Sequence, residues 1–338
     1  MAGEWPTKSI DELKAKSRAA IAIGPFGSRM KSDCYVASGV PVIRGTNISD
    51  TRDLVGEMVY ITPEKAKEVQ SSIIFADDLF FPHRGSIGLV GIVPRNGAPR
   101  YVQSSSMMKL TCDRSQVEPL YLFYFFRSAQ GRQELLKNAS TVGTPGIGQP
   151  LSSLKAIHVP CPPLAEQKAI AAVLGALDDK IELNQRMNAT LEAMARALFQ
   201  SWFVDFDPVR AKLDGRQPMS LDSATADLFR TNFQDSILGP IPNGWEVCPL
   251  SKKIHLLSGG TPKTSDPAYW DGDIPWYSVR DAPIETDVWV THTDKTVTRL
   301  GIASSAAQVF PEKTTIISAR GTVGKLALTA VPMAMNQS

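Results

Sequence analysis

The chain has 338 residues, 43% of them apolar and 21% charged, with a formal charge of +2. That near-neutral balance excludes the strongly basic type of non-specific nucleic-acid binder, while length and apolar content suffice for two core-bearing domains. The apolar stretch Ala19–Ile23 is too short for a signal peptide and Leu120–Phe126 too short to span a membrane, so a cytoplasmic protein is expected.

Residues 1–160 read as a first domain that mixes short strands with a few helices. Tyr35–Ile43, Glu57–Ile61, Ser72–Phe75 and Gly88–Val93 are rich in Val, Ile and aromatics and bounded by Gly, Pro, Asn and Asp, which predicts strands. Pro119–Ala139 predicts a helix. Its Leu120, Tyr121, Phe123, Tyr124 and Phe125 could form a base-stacking platform, but their tight helical spacing favours core packing. Gly143-Thr144-Pro145-Gly146-Ile147-Gly148 lacks a following Lys-Ser/Thr and reads as a turn, not a phosphate loop. Lys and Arg outnumber Asp and Glu by 19 to 14 over residues 1–160, against 17 to 20 over 161–338, a weak basic excess on the first domain. Cys34, Cys112, Cys161 and Cys248 form no CxxC pair, and His83, His158, His255 and His292 are scattered. Reduced, structural roles are expected and no metal site or cofactor.

Residues 161–209 predict a helical spacer. Pro162-Pro163 starts it, since proline at the first helical position loses no needed hydrogen bond. An apolar seam then repeats every three or four residues: Ile170, Leu174, Leu177, Ile181, Leu191, Ala195, Leu198 and Trp202, interrupted by Asn184 and Asn188. This is a coiled-coil period, and buried Asn at such positions sets register and partner. About 39 residues at 1.5 Å each make a rod of roughly 58 Å. Arg210–Asn243, with its prolines, glycines and Ser/Asp, reads as a linker, and 244–338 as a second domain.

That second domain repeats the first. Gly27-Ser28-Arg29-Met30-Lys31-Ser32-Asp33 returns as Gly260-Thr261-Pro262-Lys263-Thr264-Ser265-Asp266, 233 positions on, and Pro41 returns as Pro275, 234 on. Arg84-Gly85-Ser86-Ile87-Gly88 returns as Arg320-Gly321-Thr322-Val323-Gly324, 236 on, and Gln103-Ser104 as Gln337-Ser338, 234 on. Gly244-Trp245-Glu246 restarts the pattern of Gly3-Glu4-Trp5. Ordered matches at a nearly constant offset indicate duplication.

The Pro-Pro-Leu-Ala-Glu-Gln-Lys-Ala-Ile helix start at 162–170, Leu-Asp-Asp-Lys-Ile-Glu-Leu-Asn at 177–184 and Trp202-Phe203-Val204-Asp205-Phe206 resemble the central conserved region of type I restriction–modification specificity subunits. The resemblance implies an α+β fold: two repeated mixed α/β target-recognition domains joined by a long coiled-coil-type helix. It also implies a non-catalytic subunit that selects a bipartite site on double-stranded DNA for separate methyltransferase and restriction/translocase subunits. Counterparts of Ser105–Pro160 and of a second conserved helix do not follow Ser338, so a chain truncated within its second recognition domain is expected. Adding one repeat to the first helix's end points to a complete chain of roughly 435–450 residues.

Enzyme motifs are missing. Asp207-Pro208-Val209-Arg210 is not the Asn/Asp-Pro-Pro-aromatic loop of DNA amino methylation, and Gly321-Thr322-Val323-Gly324-Lys325-Leu326 lacks the first glycine and the hydroxyl residue of a phosphate loop. Glu166-Gln167-Lys168 mimics a nuclease Glu-x-Lys, but at a helix start Glu simply meets the positive end of the helix. Gly-rich turns let a backbone approach phosphate, and Arg can grip guanine in bidentate fashion. The DNA-contact candidates are therefore Arg29, Lys31, Arg44, Thr46, Asn47, Arg84 and Ser86 in the first copy. Their partners in the second copy are Lys263, Thr264, Ser278, Arg280, Arg320, Thr322 and Lys325. Elements identical in both copies cannot encode two different half-sites. Arg84 and Arg320 thus suit phosphate or framework roles better than base reading, which falls to differing segments such as 44–47 against 278–281. The rival reading is a coiled-coil assembly protein whose repeated domains bind protein.

Overall fold

The computed structural model describes residues 5–26, 29–49, 51–140, 143–219, 221–283 and 287–338; Gly3, Glu4, Gly27 and Ser28 of the repeated motifs lie outside the described residues. The chain forms two compact units, Met1–Leu183 and Asn184–Ser338, and the division falls inside the long helix. Helices and strands are mixed in both units, the strands mostly antiparallel. Among the described residues no helix is long and apolar enough to cross a membrane.

In the first unit, one sheet runs in the order Val59–Ile61, Val40–Ile43, Tyr101–Gln103, Ile73–Ile74. The other runs Ile21–Ile23, Met107–Leu110, Leu79–Pro82, Gly91–Ile92. Val40–Ile43, Leu79–Pro82 and Met107–Leu110 are buried at every position, so none shows the in–out alternation of a half-buried strand, and the one charge among them, Lys109, donates to Ile73 O at 2.7 Å. Helix Pro119–Arg127 covers the second sheet, with Phe126 edge-to-face on Phe81 at 5.0 Å between ring centroids. Tyr121 and Phe123 are buried in the same core, so these aromatics are packing residues and not a platform for bases. The helix expected over 119–139 breaks at Ser128, whose extended backbone ends one helix and whose hydroxyl accepts from Gly131 N at 3.1 Å to cap the next, Ala129–Leu136. Thr7–Ser9 pairs antiparallel with His158–Pro160 and brings the ends of the domain together.

The long helix runs Leu164–Phe199 and closes in a wide turn at Gln200–Val204. Its first turn is pinned by Gln167, which is fully buried. Gln167 Oε1 accepts from Glu118 N at 3.0 Å, and its Nε2 donates to the carbonyls of Pro162 at 2.8 Å and Gln116 at 3.2 Å. Further along, Tyr124 Oη donates to Asp178 at 2.8 Å, Arg127 pairs with the same carboxylate, and Arg52 pairs with Asp179. Past Gly175 the seam opens to water: Leu177, Ile181, Asn184, Asn188, Leu191, Ala195 and Leu198 are all exposed, and Ile170 and Trp202 half-buried. A stripe this apolar lowers its free energy by burial against another. The isolated chain should therefore self-associate at micromolar concentration, and Leu177→Glu with Leu191→Glu should return it to monomer. Sedimentation velocity checks this; a wild-type chain that stays monomeric would contradict it.

In the second unit, Trp202 and Phe203 gather Phe229 and Trp245, with Trp202–Phe229 centroids 5.7 Å apart and Phe203–Trp245 6.3 Å apart. The segment expected as a bare linker is partly folded. It holds helix Ser223–Asp227 and a hairpin of Phe233–Gln234 with Ile241–Pro242. One sheet then runs Lys295–Val297, Trp270–Tyr277, Ala334–Met335, and a second runs Trp289–Val290, Leu326–Thr329, Thr315–Ile317.

The duplication is visible rung by rung. Val40↔Ile61, Pro41↔Tyr60 and Val42↔Val59 in the first unit correspond to Ile274↔Val297, Pro275↔Thr296 and Trp276↔Lys295 in the second. The parallel rungs Val42↔Val102 and Ile43↔Gln103 correspond to Trp276↔Ala334 and Tyr277↔Met335. The last rungs shift one detail of the sequence repeat. Gln103-Ser104 aligns in space with Met335-Asn336, two residues before the Gln337-Ser338 that resembles it in sequence. The hydrogen bonds agree: Ser104 N donates to Ile43 O as Asn336 N donates to Tyr277 O.

Candidate functional site

The candidate residues sit on three separated pieces of chain, and one short connection brings them together. In the first unit that connection is Ser104–Ser106, just past the end of the parallel strand Tyr101–Gln103. Ser104 N holds Ile43 O at 2.9 Å, which fixes the start of the 44–47 turn. Gly24 N donates to Met107 O at 2.9 Å, which anchors the end of the strand Ile21–Ile23. His83 N donates to Ser106 O at 2.8 Å and His83 Nε2 lies 3.0 Å from Ser105 O, which fixes the 84–88 turn. Burial depresses the His83 pKa and so favours the neutral ring. Gly24 is required here by proximity: any Cβ would overlap the Ser104 carbonyl.

The second unit builds the same junction around Asn336–Ser338. Asn336 N reaches Tyr277 O at 3.0 Å, Gly260 N reaches Met335 O at 2.9 Å, and Ala319 N reaches Ser338 O at 2.7 Å. Thr261 Oγ1 adds a 2.7 Å bond to Gln337 Oε1. At Gly259 a Cβ would overlap the carbonyls of Met335 and Asn336, as at Gly24. The sequence pointed to the three arms but not to the connections that hold them. Only the repeated Gln-Ser hinted at these, and it was displaced by two residues.

The two Arg-Gly turns place both of their glycines in the same conformation. Gly85 and Gly88 have φ of 79° and 81°, and Gly321 and Gly324 have 75° and 85°. These are left-handed conformations that favour glycine, so both glycines of each motif are demanded by the turn itself. Arg84 and Ser86 are exposed on the first turn, Arg320, Thr322 and Lys325 on the second. Arg29, Lys31, Lys263 and Thr264 are exposed on the neighbouring loops.

The 44–47 and 278–281 segments divide into framework and tip. Asn47, expected at the surface, is fully buried: its Oδ1 accepts from Arg44 N at 2.9 Å and its Nδ2 donates to Val55 O at 2.8 Å. Arg44 is half-buried and its Nη2 donates to Glu57 O at 2.7 Å, closing the same turn. Asp281 does the work of Asn47 in the second unit, accepting from Ser278 N at 2.8 Å and Ser278 Oγ at 2.9 Å. Asn47 is enclosed with its amide engaged and so leaves the exposed surface, and Ser278 Oγ is engaged with Asp281, whereas Arg44 bonds through Nη2 alone and its buried Nε has no partner. Thr46 and Arg280 are left as the exposed tips of equivalent turns. Asn47→Ala should cost about 2–3 kcal/mol, because Arg44 N and Val55 O lose their partners. Thermal melting of the variant against Thr46→Ala, which should be near neutral, checks this.

Residues 27–193 match the family model described as the type I restriction modification DNA specificity domain. Over 282 residues the chain is 27% identical to the specificity subunit of the type I restriction enzyme HindI from Haemophilus influenzae, covering 72% of this chain and 61% of that protein. Over 262 residues it is 26% identical to the MjaIX specificity subunit from Methanocaldococcus jannaschii, covering 77% of this chain and 54% of that protein. Among solved structures it is similar to the type I restriction–modification S subunit from M. genitalium, at 17% identity and a TM-score of 0.48, covering 100% of this chain and 72% of that one. The chain thus spans little more than half the length of these curated relatives.

Proposed function

Because the chain belongs, through residues 27–193, to the type I restriction–modification DNA specificity family, we propose that it is the site-selecting component of such a complex. It catalyses nothing itself. It holds duplex DNA for methyltransferase subunits and for restriction/translocase subunits, and each recognition unit reads one half of a bipartite site. The observation that carries this is the duplicated junction, in which a loop, a turn tip and an Arg-Gly turn converge on one connection in both units.

Within each junction the residues divide by what they can recognise. Arg84 and Arg320 stand on turns whose glycines take the same left-handed conformation, so they suit the uniform phosphate backbone, assisted by Ser86, Thr322 and Lys325. Thr46 and Arg280 occupy equivalent exposed tips yet differ in chemistry, which is what reading two different half-sites requires. Arg29, Lys31, Lys263 and Thr264 flank them and supply further backbone contacts. The division 1–160, 161–209, 210–243 and 244–338 is retained as the functional plan of recognition unit, helical spacer, connecting segment and second unit. Protein binding by the repeated domains, the rival reading, has no such pairing of constant and variable polar positions to explain. The test is duplex binding by this chain reconstituted with its methyltransferase subunits: a preference for one duplex sequence, weakening steeply with salt, is expected. No salt-dependent preference for any duplex would refute the proposal.

A further inference from the structure

Beside the Arg84 turn lies a piece of the first unit that the contact candidates do not include. Ala139↔Ile147 and Ser140↔Gly146 pair antiparallel, which makes a two-stranded ribbon. The strand Gly146–Ile147 pairs on its other side with the Arg84 turn. Gly85 N donates to Pro145 O and Ile147 N to His83 O, both at 2.9 Å, and Arg84 lies opposite Gly146. The stretch 143–148, which in the sequence is no more than a glycine-rich turn, is thus bonded to the phosphate anchor itself. A Cβ on Gly146 would stand 3.8 Å from Arg84 Cγ, so the arginine stem runs over the ribbon.

The ribbon is rooted at its base and free at its tip. Ile147 is buried in one cluster with Phe81 and Phe126, and Gly148 N donates to Asn138 O at 2.9 Å. Ser140, Gly143 and Thr144 are exposed, and a Cβ added to Gly143, which has φ of 73°, would meet nothing within 4 Å. Residues 139–149 carry no charge, whereas Arg84 flanks the inner strand and Lys137 stands exposed two residues before the outer one. Lys137 is held only loosely, by Glu134 at 3.8 Å. A neutral, hydrogen-bonding tip between two positive flanks matches a groove, where base edges lie between two phosphate ridges. The sizes agree as well. Two strand spacings, about 10 Å, separate Ala139–Ser140 from the chain at Arg84. The major groove is about 12 Å wide and admits a two-stranded ribbon.

We propose that the 139–147 ribbon enters the major groove of the half-site read by the first unit, with Thr144 on base edges and Arg84 and Lys137 on the phosphates to either side. The threonine hydroxyl can bond a base edge and its methyl can pack on that of thymine. The proposal rests on the reading of this chain as a DNA-recognition subunit, and it gives the first unit a second reader beside Thr46.

Methylation mapping and a salt series on the chain reconstituted with its methyltransferase subunits test it. Thr144→Ala should reduce discrimination at one or two base pairs of one half-site by about fivefold or more, and it should leave the salt slope unchanged because a neutral side chain releases no counterion. Lys137→Ala should do the opposite, lowering the slope by about 1 and altering no base preference. Inosine for guanine and 2,6-diaminopurine for adenine change only the minor-groove edge, so both should be tolerated at the base pairs that Thr144→Ala relaxes. If Thr144→Ala relaxed no base pair while Arg84→Ala still lowered the slope, the ribbon would be no reader and the DNA-recognition reading would stand. Relaxation in both half-sites, or losses on the minor-groove swaps, would also overturn the proposal. A wild-type complex with no duplex preference would instead remove the reading on which it rests. Should Thr144→Ala unfold the unit, a benzophenone side chain at position 144 decides: crosslinking to bases of one half-site supports the ribbon, and none overturns it.

Discussion

Replacing Gln167 with leucine should destabilise the first unit by about 3–5 kcal/mol, one of the largest effects of any single change outside the hydrophobic core. Leucine matches the volume but none of the bonds. Glu118 N, Pro162 O and Gln116 O would each lose a partner at a position from which water is excluded. A buried polar group left unpaired costs about 1–3 kcal/mol, and the lost groups are neighbours that can relax together, so the sum falls below three full penalties. For a domain of this size that is a drop in melting temperature of about 10 °C. Lys168→Leu, at the adjoining exposed position, should stay within about 0.5 kcal/mol of wild type. A Gln167→Leu unit that melts within a degree or two of wild type would show that the helix is held by its apolar contacts alone.

DNA affinity in the reconstituted complex should fall by about 10³-fold or more between 50 and 200 mM salt, as expected of a protein that neutralises six or more phosphates. Arg84→Ala with Arg320→Ala should weaken binding to all duplexes and reduce the slope of log affinity against log salt by about 2, one for each phosphate contact removed. Arg280→Ala should behave differently. It should cost about 1–3 kcal/mol on the preferred sequence and relax recognition in one half of the site only, leaving the half read by the first unit intact. Fluorescence anisotropy over a salt series measures the slope, and methylation mapping measures which bases change. If Arg280→Ala altered both halves, or if Arg84 and Arg320 changed sequence preference and not the salt slope, the assignment of constant turns to phosphate and variable tips to bases would be reversed.

The sequence by itself determined the plan: two copies of one domain and a long helix with an apolar seam. It could do so because each of those features is periodic or repeated, and period and repetition are written in the order of residues. It also marked the Arg-Gly turns, since glycines forced to positive φ recur at the same spacing in both copies. What it could not show was which polar residues are free. Asn47 and Thr46 are neighbours of similar polarity, yet one is enclosed with its amide engaged and the other stands in water. Burial depends on what the rest of the chain places around a residue, and here that is Val55 and Glu57, brought in by the return of the chain. Leu79–Pro82 and Met107–Leu110 were likewise missed as strands, because a strand covered on both faces shows no alternation to read. The break at Ser128 was missed as well, because its serine-to-glycine cap joins two helical stretches with no proline between them to mark a boundary. The convergence of loop, tip and turn on Ser104–Ser106 was decided by tertiary structure alone. It rests on backbone hydrogen bonds between segments as far apart as Gly24 and Met107, and backbone groups carry no sequence signature.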